Sequence, residues 1–162
     1  MRIVFKILHI LKKIGGGRRL VTVGIIEENN EIKNILSELY DEYDFTVDPF
    51  NTICDIIINN GISSKDMNCS LCLFNSDEKA QLNIKKETVI ISYGLNPLST
   101  VTASSISGDG EELQFQFCLQ RTITSLSGKK IEPQEFPVRL KRKGLKIHSA
   151  LAIVTFALLF NY

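Results

Sequence analysis

Short apolar runs, separated by helical and polar segments, constrain the fold of this chain most strongly. The runs are rich in β-branched residues and have the length of single strands. They lie at residues 20–26, 45–47, 56–58, 70–74 and 88–93. Continuous apolar runs are typical of strands buried on both faces, so they predict an α/β fold with a mostly parallel sheet and flanking helices.

The clearest helical pattern follows the first of these runs. Apolar residues recur there at i, i+3, i+4, i+7, i+8 and i+11, which marks one face of a helix. They are Ile32, Ile35, Leu36, Leu39, Tyr40 and Tyr43. Asn29 or Asn30 is expected to cap this helix, with Glu31 placed near its positive end.

After Gly94 the apolar pattern changes to strict alternation. Leu113, Phe115, Phe117 and Leu119 alternate with Gln114, Gln116, Cys118 and Gln120. One buried and one solvated face are therefore expected. Ser127 and Gly128 offer a hairpin turn, and Pro133 and Pro137 assign the last strand, around Val138, to a sheet edge. These features predict a small antiparallel β section, followed by a C-terminal helix from about His148.

A length of 162 residues is typical of one domain. We expect an N-terminal amphipathic helix and glycine linker at residues 1–17 and an α/β part at 18–96. Antiparallel strands at 97–147 and a C-terminal helix at 148–162 complete the predicted domain.

Both ends of the chain carry apolar helical patterns. Residues 1–14 are predicted to form a basic amphipathic helix, which either packs on protein or lies on a membrane surface; we favour packing. Gly15 to Gly17, before Arg18 and Arg19, are interpreted as a linker rather than an anion site. The apolar stretch at 150–160 is too short to span a bilayer, which takes about 20 residues.

Charge and cysteine content indicate which cellular compartment and which classes of partner suit the chain. The formal net charge of +1 gives no general attraction to nucleic acid. Four irregularly spaced cysteines fit free thiols in the reducing cytoplasm. Cys69 and Cys72 form a lone Cys-x-x-Cys pair, whereas a structural zinc site needs four ligands. On a strand they would also point to opposite faces. We interpret them as buried structural cysteines.

A second charged feature is the basic run at residues 139–146. It contains Arg139, Lys141, Arg142, Lys143 and Lys146 without interleaved aromatic residues. Stacking of nucleic-acid bases therefore has little support. A solvated strand edge and loop is the favoured interpretation, and such a surface is suited to recruiting an acidic partner.

Four pieces of the second half carry a family resemblance. They are Leu73-Phe74-Asn75-Ser76-Asp77-Glu78, Val89-Ile90-Ile91-Ser92-Tyr93-Gly94-Leu95-Asn96, Val101-Thr102-Ala103-Ser104-Ser105-Ile106 and Ser149-Ala150-Leu151-Ala152. In order and spacing they resemble the later part of the central domain of Mur ligases. That domain binds ATP in the enzymes that add amino acids to peptidoglycan precursors. The resemblance covers residues 73–160, just over half of the chain.

The chain departs from this family where the nucleotide would bind. The family places a glycine-rich phosphate loop with a lysine after its first strand, whereas residues 23–30 here contain one glycine, no lysine, and the acids Glu27 and Glu28. At about 4 Å and an effective dielectric near 20, each acid–phosphate contact costs on the order of 4 kcal/mol. Residues of the family that hold the nucleotide base correspond here to Leu145, Lys146 and Ser149, so His148 falls beside the histidine position.

No catalytic, cofactor-binding or metal-binding residue is therefore assigned, and no cofactor is expected. Asp77 and Glu78 follow a predicted strand and are interpreted as turn residues rather than as a catalytic acid pair. His148 has no nucleophile near it in the sequence, which leaves a capping or surface position. The sequence thus offers no assembled catalytic group.

Three functional hypotheses follow from the sequence. The first is a non-catalytic Mur-ligase-like binding or scaffolding domain, or a truncated remnant, and not an enzyme. The second is a subunit of an ATP-dependent amino-acid ligase of peptidoglycan precursor synthesis, completed by a partner chain. The third is a peripheral membrane protein that uses the N-terminal basic helix. The expected partner is an unknown protein, or a second copy bound through the apolar C-terminal helix; nucleic acid is not expected.

Overall fold

The computed structural model describes residues 21–40, 44–46, 53–63 and 66–161. The chain forms two compact units, with the boundary between Tyr93 and Gly94. The predicted N-terminal helix and the glycine linker lie outside the described residues, as do Tyr43, Val47 and Tyr162. The single-domain organisation stays a prediction.

The first unit holds a parallel sheet. Its elements are β1 (Thr22–Ile26), α1 (Glu31–Leu39), β2 (Asp44–Thr46), β3 (Cys54–Asn59), β4 (Asp66–Met67), β5 (Cys69–Asn75), β6 (Asn83–Ile84) and β7 (Val89–Tyr93). Five strands pair in parallel in the order β7-β5-β3-β1-β2. Ile56, Ile57 and Ile58 are consecutive and fully buried, which requires cover on both faces of β3. The predicted α/β class with a mostly parallel sheet is confirmed.

Flanking helices are present only in part. In the described residues of this unit, α1 is the one helix, and it buries Ile32, Ile35 and Leu36. The connection from β3 to β5 is shorter than the dozen or so residues that a helical crossover takes. This connection contains the short strand β4, and the connection from β5 to β7 contains β6. These two strands pair as a separate two-stranded parallel sheet.

The start of α1 differs from the sequence prediction. Asn30 has a left-handed backbone, with φ of 54°, and its side chain makes no capping hydrogen bond. The helix also ends at Leu39, with Tyr40 as its C-cap, earlier than the apolar spacing predicts. The cap comes from an acidic side chain instead, because the carboxylate of Glu27 reaches the first turn.

The second unit is antiparallel apart from its helix. Its elements are β8 (Val101–Gly108), β9 (Leu113–Leu119), β10 (Ile123–Thr124), β11 (Lys130–Ile131), β12 (Gln134–Leu140) and α2 (Ile147–Asn161). Strand β9 pairs with both β8 and β12, while β10 and β11 form a small hairpin. The predicted antiparallel section, its hairpin turn at Gly128 and the C-terminal helix are confirmed.

Alternation along β9 holds with one exception. Phe115, Phe117 and Leu119 are buried as predicted, and the ring of Phe117 stacks on Phe136 with centroids 4.9 Å apart. Cys118 was expected on the solvated face, but it is 7% exposed. Its thiol lies 3.9 Å from the hydroxyl of Ser104 on the adjacent strand.

Helix α2 is buried around its whole circumference. Every side chain from Ser149 to Leu159 is buried, including the hydroxyl-bearing Thr155, whose Oγ1 donates to the carbonyl of Leu151 at 2.7 Å. The sequence predicts an apolar C-terminal helix, and in this structure its apolar side chains from Ala150 to Leu159 are buried. Among the described helices, none combines the length and apolar character needed to cross a membrane.

Candidate functional site

The carboxyl ends of the parallel strands bring polar side chains to one edge of the first unit. Glu27 follows β1, Asn60 follows β3, and Asn75 and Tyr93 end β5 and β7. In open parallel sheets, ligands bind at this edge, outside the carboxyl ends of the strands. A nucleotide-binding, metal-binding or catalytic site of this fold would therefore lie at this edge.

Glu27 occupies the position where a phosphate loop would act. Its carboxylate oxygens accept hydrogen bonds from the backbone N–H groups of Ile32, at 3.0 Å, and Lys33, at 2.9 Å. These N–H groups belong to the first turn of α1, where a helix has unpaired donors and a partial positive charge. The chain thus supplies its own anion to the helix end that would otherwise attract a phosphate.

The loop around Glu27 also lacks the flexibility of a phosphate loop. Gly24, the one glycine of this junction, lies inside β1 and not in the connection. The connecting residues 27–30 contain neither glycine nor lysine. Convergence of several N–H groups on a phosphate needs glycine backbones, and the charge needs a lysine. The connection provides neither.

Asn59 shapes the turn after β3. Its side chain is fully buried, and its Oδ1 accepts from the N–H groups of Gly61 at 3.0 Å and Ile62 at 2.8 Å. Its Nδ2 donates to the carbonyl of Ile62 at 2.8 Å. An asparagine that bonds backbone groups two and three residues on is a standard turn former. Asn59 is therefore a structural residue of this edge.

Asn60 and Tyr93 join the ends of β3 and β7. The hydroxyl of the fully buried Tyr93 donates to Oδ1 of Asn60 at 3.0 Å, and Nδ2 of Asn75 donates to the same oxygen at 3.2 Å. Burial, followed by the proximity of Cys72 and Glu27, raises the pKa of Tyr93 well above its ordinary value. The phenol therefore remains a neutral hydrogen-bond donor rather than a base.

The family-like segment after β5 forms a turn. Oδ1 of Asn75 accepts from the N–H of Asp77 at 3.1 Å, and Oγ of Ser76 donates to the carbonyl of Tyr93 at 3.2 Å. Asp77 and Glu78 are exposed. Their interpretation as turn residues is confirmed, since the carboxyl groups lie in solvent next to a polar turn.

The cysteines are buried, as predicted. Burial, with a smaller contribution from Cys54, raises the pKa of Cys69 to about 11, and burial raises that of Cys72 to about 12. Thiols held protonated are poor nucleophiles and poor metal ligands. Both belong to one apolar cluster that also contains Ile26, Cys54, Ile57 and Met67. Both thiols lie on β5, three positions apart in an unbroken register with β3, which is the strand placement from which opposite faces were expected.

Other candidates from the sequence do not come together as a site. His148 lies half-buried in the first turn of α2, and Ser149 beside it is buried. The basic run is exposed apart from Leu140 and Leu145, as predicted for a strand edge and loop. Within the described residues, no group of three or more His, Cys, Asp or Glu side chains is arranged to hold a metal ion.

Sequence reasoning missed both the cap by Glu27 and the network around Asn60. A local signal existed for the turn, because Asn59-Asn60-Gly61 after three isoleucines is typical of a strand end. No local signal existed for the partner Tyr93, which lies 33 residues further along the chain.

Comparison with known proteins gives a likeness in fold. No protein-family model and no curated protein sequence matches the chain. A solved structure of UDP-N-acetylmuramoylalanyl-D-glutamyl-2,6-diaminopimelate–D-alanyl-D-alanyl ligase from Acinetobacter baumannii is similar, with a TM-score of 0.56 and 12% identity. The match covers 96% of this chain and 46% of the ligase, so the chain spans about half the length of that enzyme. The chain has a Mur-ligase-like fold.

Proposed function

We propose that this chain is a non-catalytic, Mur-ligase-like domain that acts by binding or scaffolding other proteins and does not use ATP. One observation carries the proposal: the carboxylate of Glu27 is bonded to the N–H groups that open α1. A phosphate at that helix end would have to displace the carboxylate and then lie beside it. At about 4 Å and an effective dielectric near 20, that juxtaposition costs on the order of 4 kcal/mol.

The remainder of the strand edge supports the same proposal. Asn75 and Tyr93 both donate to the side-chain oxygen of Asn60, and the Asn59 side chain bonds backbone groups of its own turn. A network of satisfied hydrogen bonds stabilises one arrangement of the strand ends. A reacting group would instead need a nucleophile beside a base, and these neutral side chains supply neither. The edge is therefore suited to holding the fold together.

The proposed place of action is the cytoplasm. All four cysteines are free thiols. Free buried thiols persist in compartments that glutathione and thioredoxin keep reduced. A partner protein would meet the domain there, and the domain would contribute surface rather than chemistry.

Calorimetric titration with ATP and magnesium tests the proposal. We expect no binding tighter than about 1 mM and no release of ADP. The same titration with ADP and with inorganic phosphate separates the nucleotide from its anionic part. Micromolar binding of ATP together with turnover would reject the proposal.

The fold itself favours one rival function, because it is similar to part of a solved ligase. In that case a partner chain would supply the lysine and the magnesium ligands, as a subunit of a peptidoglycan-precursor ligase. Co-purification with a protein that carries a phosphate loop, and ATP turnover by the pair, would favour the rival. Turnover by that partner at an unchanged rate after removal of this chain would exclude it.

A further inference from the structure

The second unit contains a cleft at the end of its β8–β9 hairpin. The cleft has a volume of about 390 Å³, and the loop that follows β12 forms its other wall. Ile106, Leu113 and Leu145 line it, and Arg142 and Glu112 add charge. Ile106 is 43% exposed, which is a large exposure for an isoleucine in a strand. None of the polar side chains at the strand ends of the parallel sheet lines this cleft.

A β-bulge turns Ile106 toward the cleft. Ser104 pairs with Gln116 and Ser107 with Gln114, so Ser105 and Ile106 lie opposite a single residue of β9. Ser105 has a φ of 52°, in the left-handed region that serine seldom adopts. Bulges re-aim side chains and are frequent beside functional sites. The strain at Ser105 is the cost of presenting Ile106 here.

Glycines keep the two walls in place. Gly108 passes so close to the carbonyl oxygen of Glu112 that a Cβ would lie 2.3 Å from it. Gly110 and Gly144 have φ values of 89° and 68°, and the N–H of Gly144 donates to the carbonyl of Gly110 at 2.9 Å. The hairpin end and the loop after β12 are thus bonded directly across the cleft.

The charge around the cleft is positive on balance. Residues 139–146 contain five basic side chains, whereas the facing turn at 109–112 contains three acidic ones. Two of these acids are already paired: Glu112 with Arg139 at 2.7 Å, and Glu111 with Lys143 at 3.4 Å. The third, Asp109, accepts from two backbone N–H groups of its own turn. The two segments together therefore carry a net charge of +2, from five basic and three acidic residues, which favours a negatively charged ligand.

We propose that this cleft binds a short acidic peptide segment of a partner protein, with one apolar side chain of the segment inserted against Ile106. Apolar lining explains the insertion, and the basic rim explains the acidic neighbours. A phosphate or nucleic-acid backbone fits less well, because it offers no apolar side chain for Ile106, Leu113 and Leu145. This inference deepens the proposed function by naming where and with what chemistry a partner binds.

Fluorescence polarisation on the full chain tests the inference. The probe is a labelled peptide of alternating glutamate and leucine, and the matched control peptide has glutamine in place of glutamate. We expect saturable binding of the acidic peptide, binding of the glutamine peptide weaker by about tenfold or more, and weaker binding at higher salt. Ile106→Ser and Arg142→Ala are each expected to weaken the acidic peptide by about tenfold.

Matched variants test whether the effect belongs to the cleft. Arg121→Ala removes an exposed arginine beyond the opposite end of β9, and Leu98→Ser removes a 73% exposed leucine outside the cleft. Both are expected to bind like the unchanged chain. Circular dichroism of each variant verifies that it is folded, and Leu145→Ser replaces Ile106→Ser should that variant unfold.

Three outcomes would overturn the inference: no saturable peptide binding, equal loss in the control variants, or equal affinity for a single-stranded oligonucleotide. The last outcome would identify the surface as a site for nucleic acid. None of them bears on the proposal that the chain does not use ATP, which the titration with ATP and magnesium tests separately.

Discussion

The hydroxyl of Tyr93 donates a hydrogen bond to Oδ1 of Asn60 at 3.0 Å and joins the ends of two strands of the parallel sheet. Strand β5 lies between them in the sheet. Its terminal Asn75 donates to the same oxygen of Asn60. One side-chain oxygen therefore ties three neighbouring strand ends together, and its donors Tyr93 and Asn75 are buried, where an unmade hydrogen bond is costly.

Replacing Tyr93 with phenylalanine tests this tie. We expect the Tyr93→Phe variant to lose about 1–2 kcal/mol in free energy of unfolding, because the ring packing is kept and the buried bond is lost. Urea denaturation measures the change. A double-mutant cycle with Asn60→Ala should give a coupling of about 0.5 kcal/mol or more. Additive effects of the two substitutions would show that the residues do not interact.

Removing the carboxylate of Glu27 tests its role at the start of α1. We expect Glu27→Ala to destabilise the chain by about 1 kcal/mol, since two first-turn N–H groups lose their acceptor. Glu28→Ala is the matched control, because Glu28 is the adjacent acid and is exposed. Chemical denaturation compares the two. An equal cost for both substitutions would contradict the capping role.

Gly61 is expected to reject any side chain. Its φ is +92°, and a Cβ there would lie 2.3 Å from Cγ of Glu78. Gly61→Ala should therefore cost about 1–3 kcal/mol in unfolding free energy. Gly128→Ala separates the two causes, because Gly128 has a φ of +84° but nothing within 4 Å of a Cβ. A smaller loss of stability at Gly128 would show that the contact with Glu78 adds to the cost at Gly61. Equal losses would show that backbone strain accounts for both.

Stability should fall at alkaline pH. Burial raises the pKa of Cys72 from 9.0 to about 12 and raises that of Tyr93 above its ordinary value. As pH rises, these groups lose their protons at a lower pH in the unfolded chain than in the folded chain. Their contribution to stability is therefore complete below about pH 9 and is lost as pH rises toward the folded pKa values. Each group contributes a slope of about 1.4 kcal/mol per pH unit in that window.

Chemical denaturation between roughly pH 8 and pH 11 measures this loss of stability, because thiols and phenols of the unfolded chain ionise in that range. The Cys72→Ala variant should lose less stability per pH unit than the unchanged chain, because one titrating group is gone. The comparison uses slopes, so the cost of the cavity at position 72 cancels. Parallel slopes would show that Cys72 titrates alike in the folded and unfolded states.

Local patterns in the sequence were sufficient for several strands of the fold and for the existence of both described helices. The runs at 20–26, 70–74 and 88–93 became β1, β5 and β7 because β-branched and apolar residues favour strands that are covered on both faces. The alternation around Phe115 and Phe117 became β9 for the same kind of reason, since period two separates a buried face from a wetter one. Hydrophobic periodicity depends on residues close together in the sequence, so a single sequence is enough to recognise it.

Contacts between distant residues were decided by the tertiary structure alone. The cap by Glu27 depends on how β1 leads into α1, and no propensity distinguishes Glu27 from Glu28. The network at Asn60 requires β7 to return to the same sheet edge, and the cleft at Ile106 requires a bulge that shifts the register of β8. These features arise from long-range geometry, which the sequence encodes only through the energy of the whole fold.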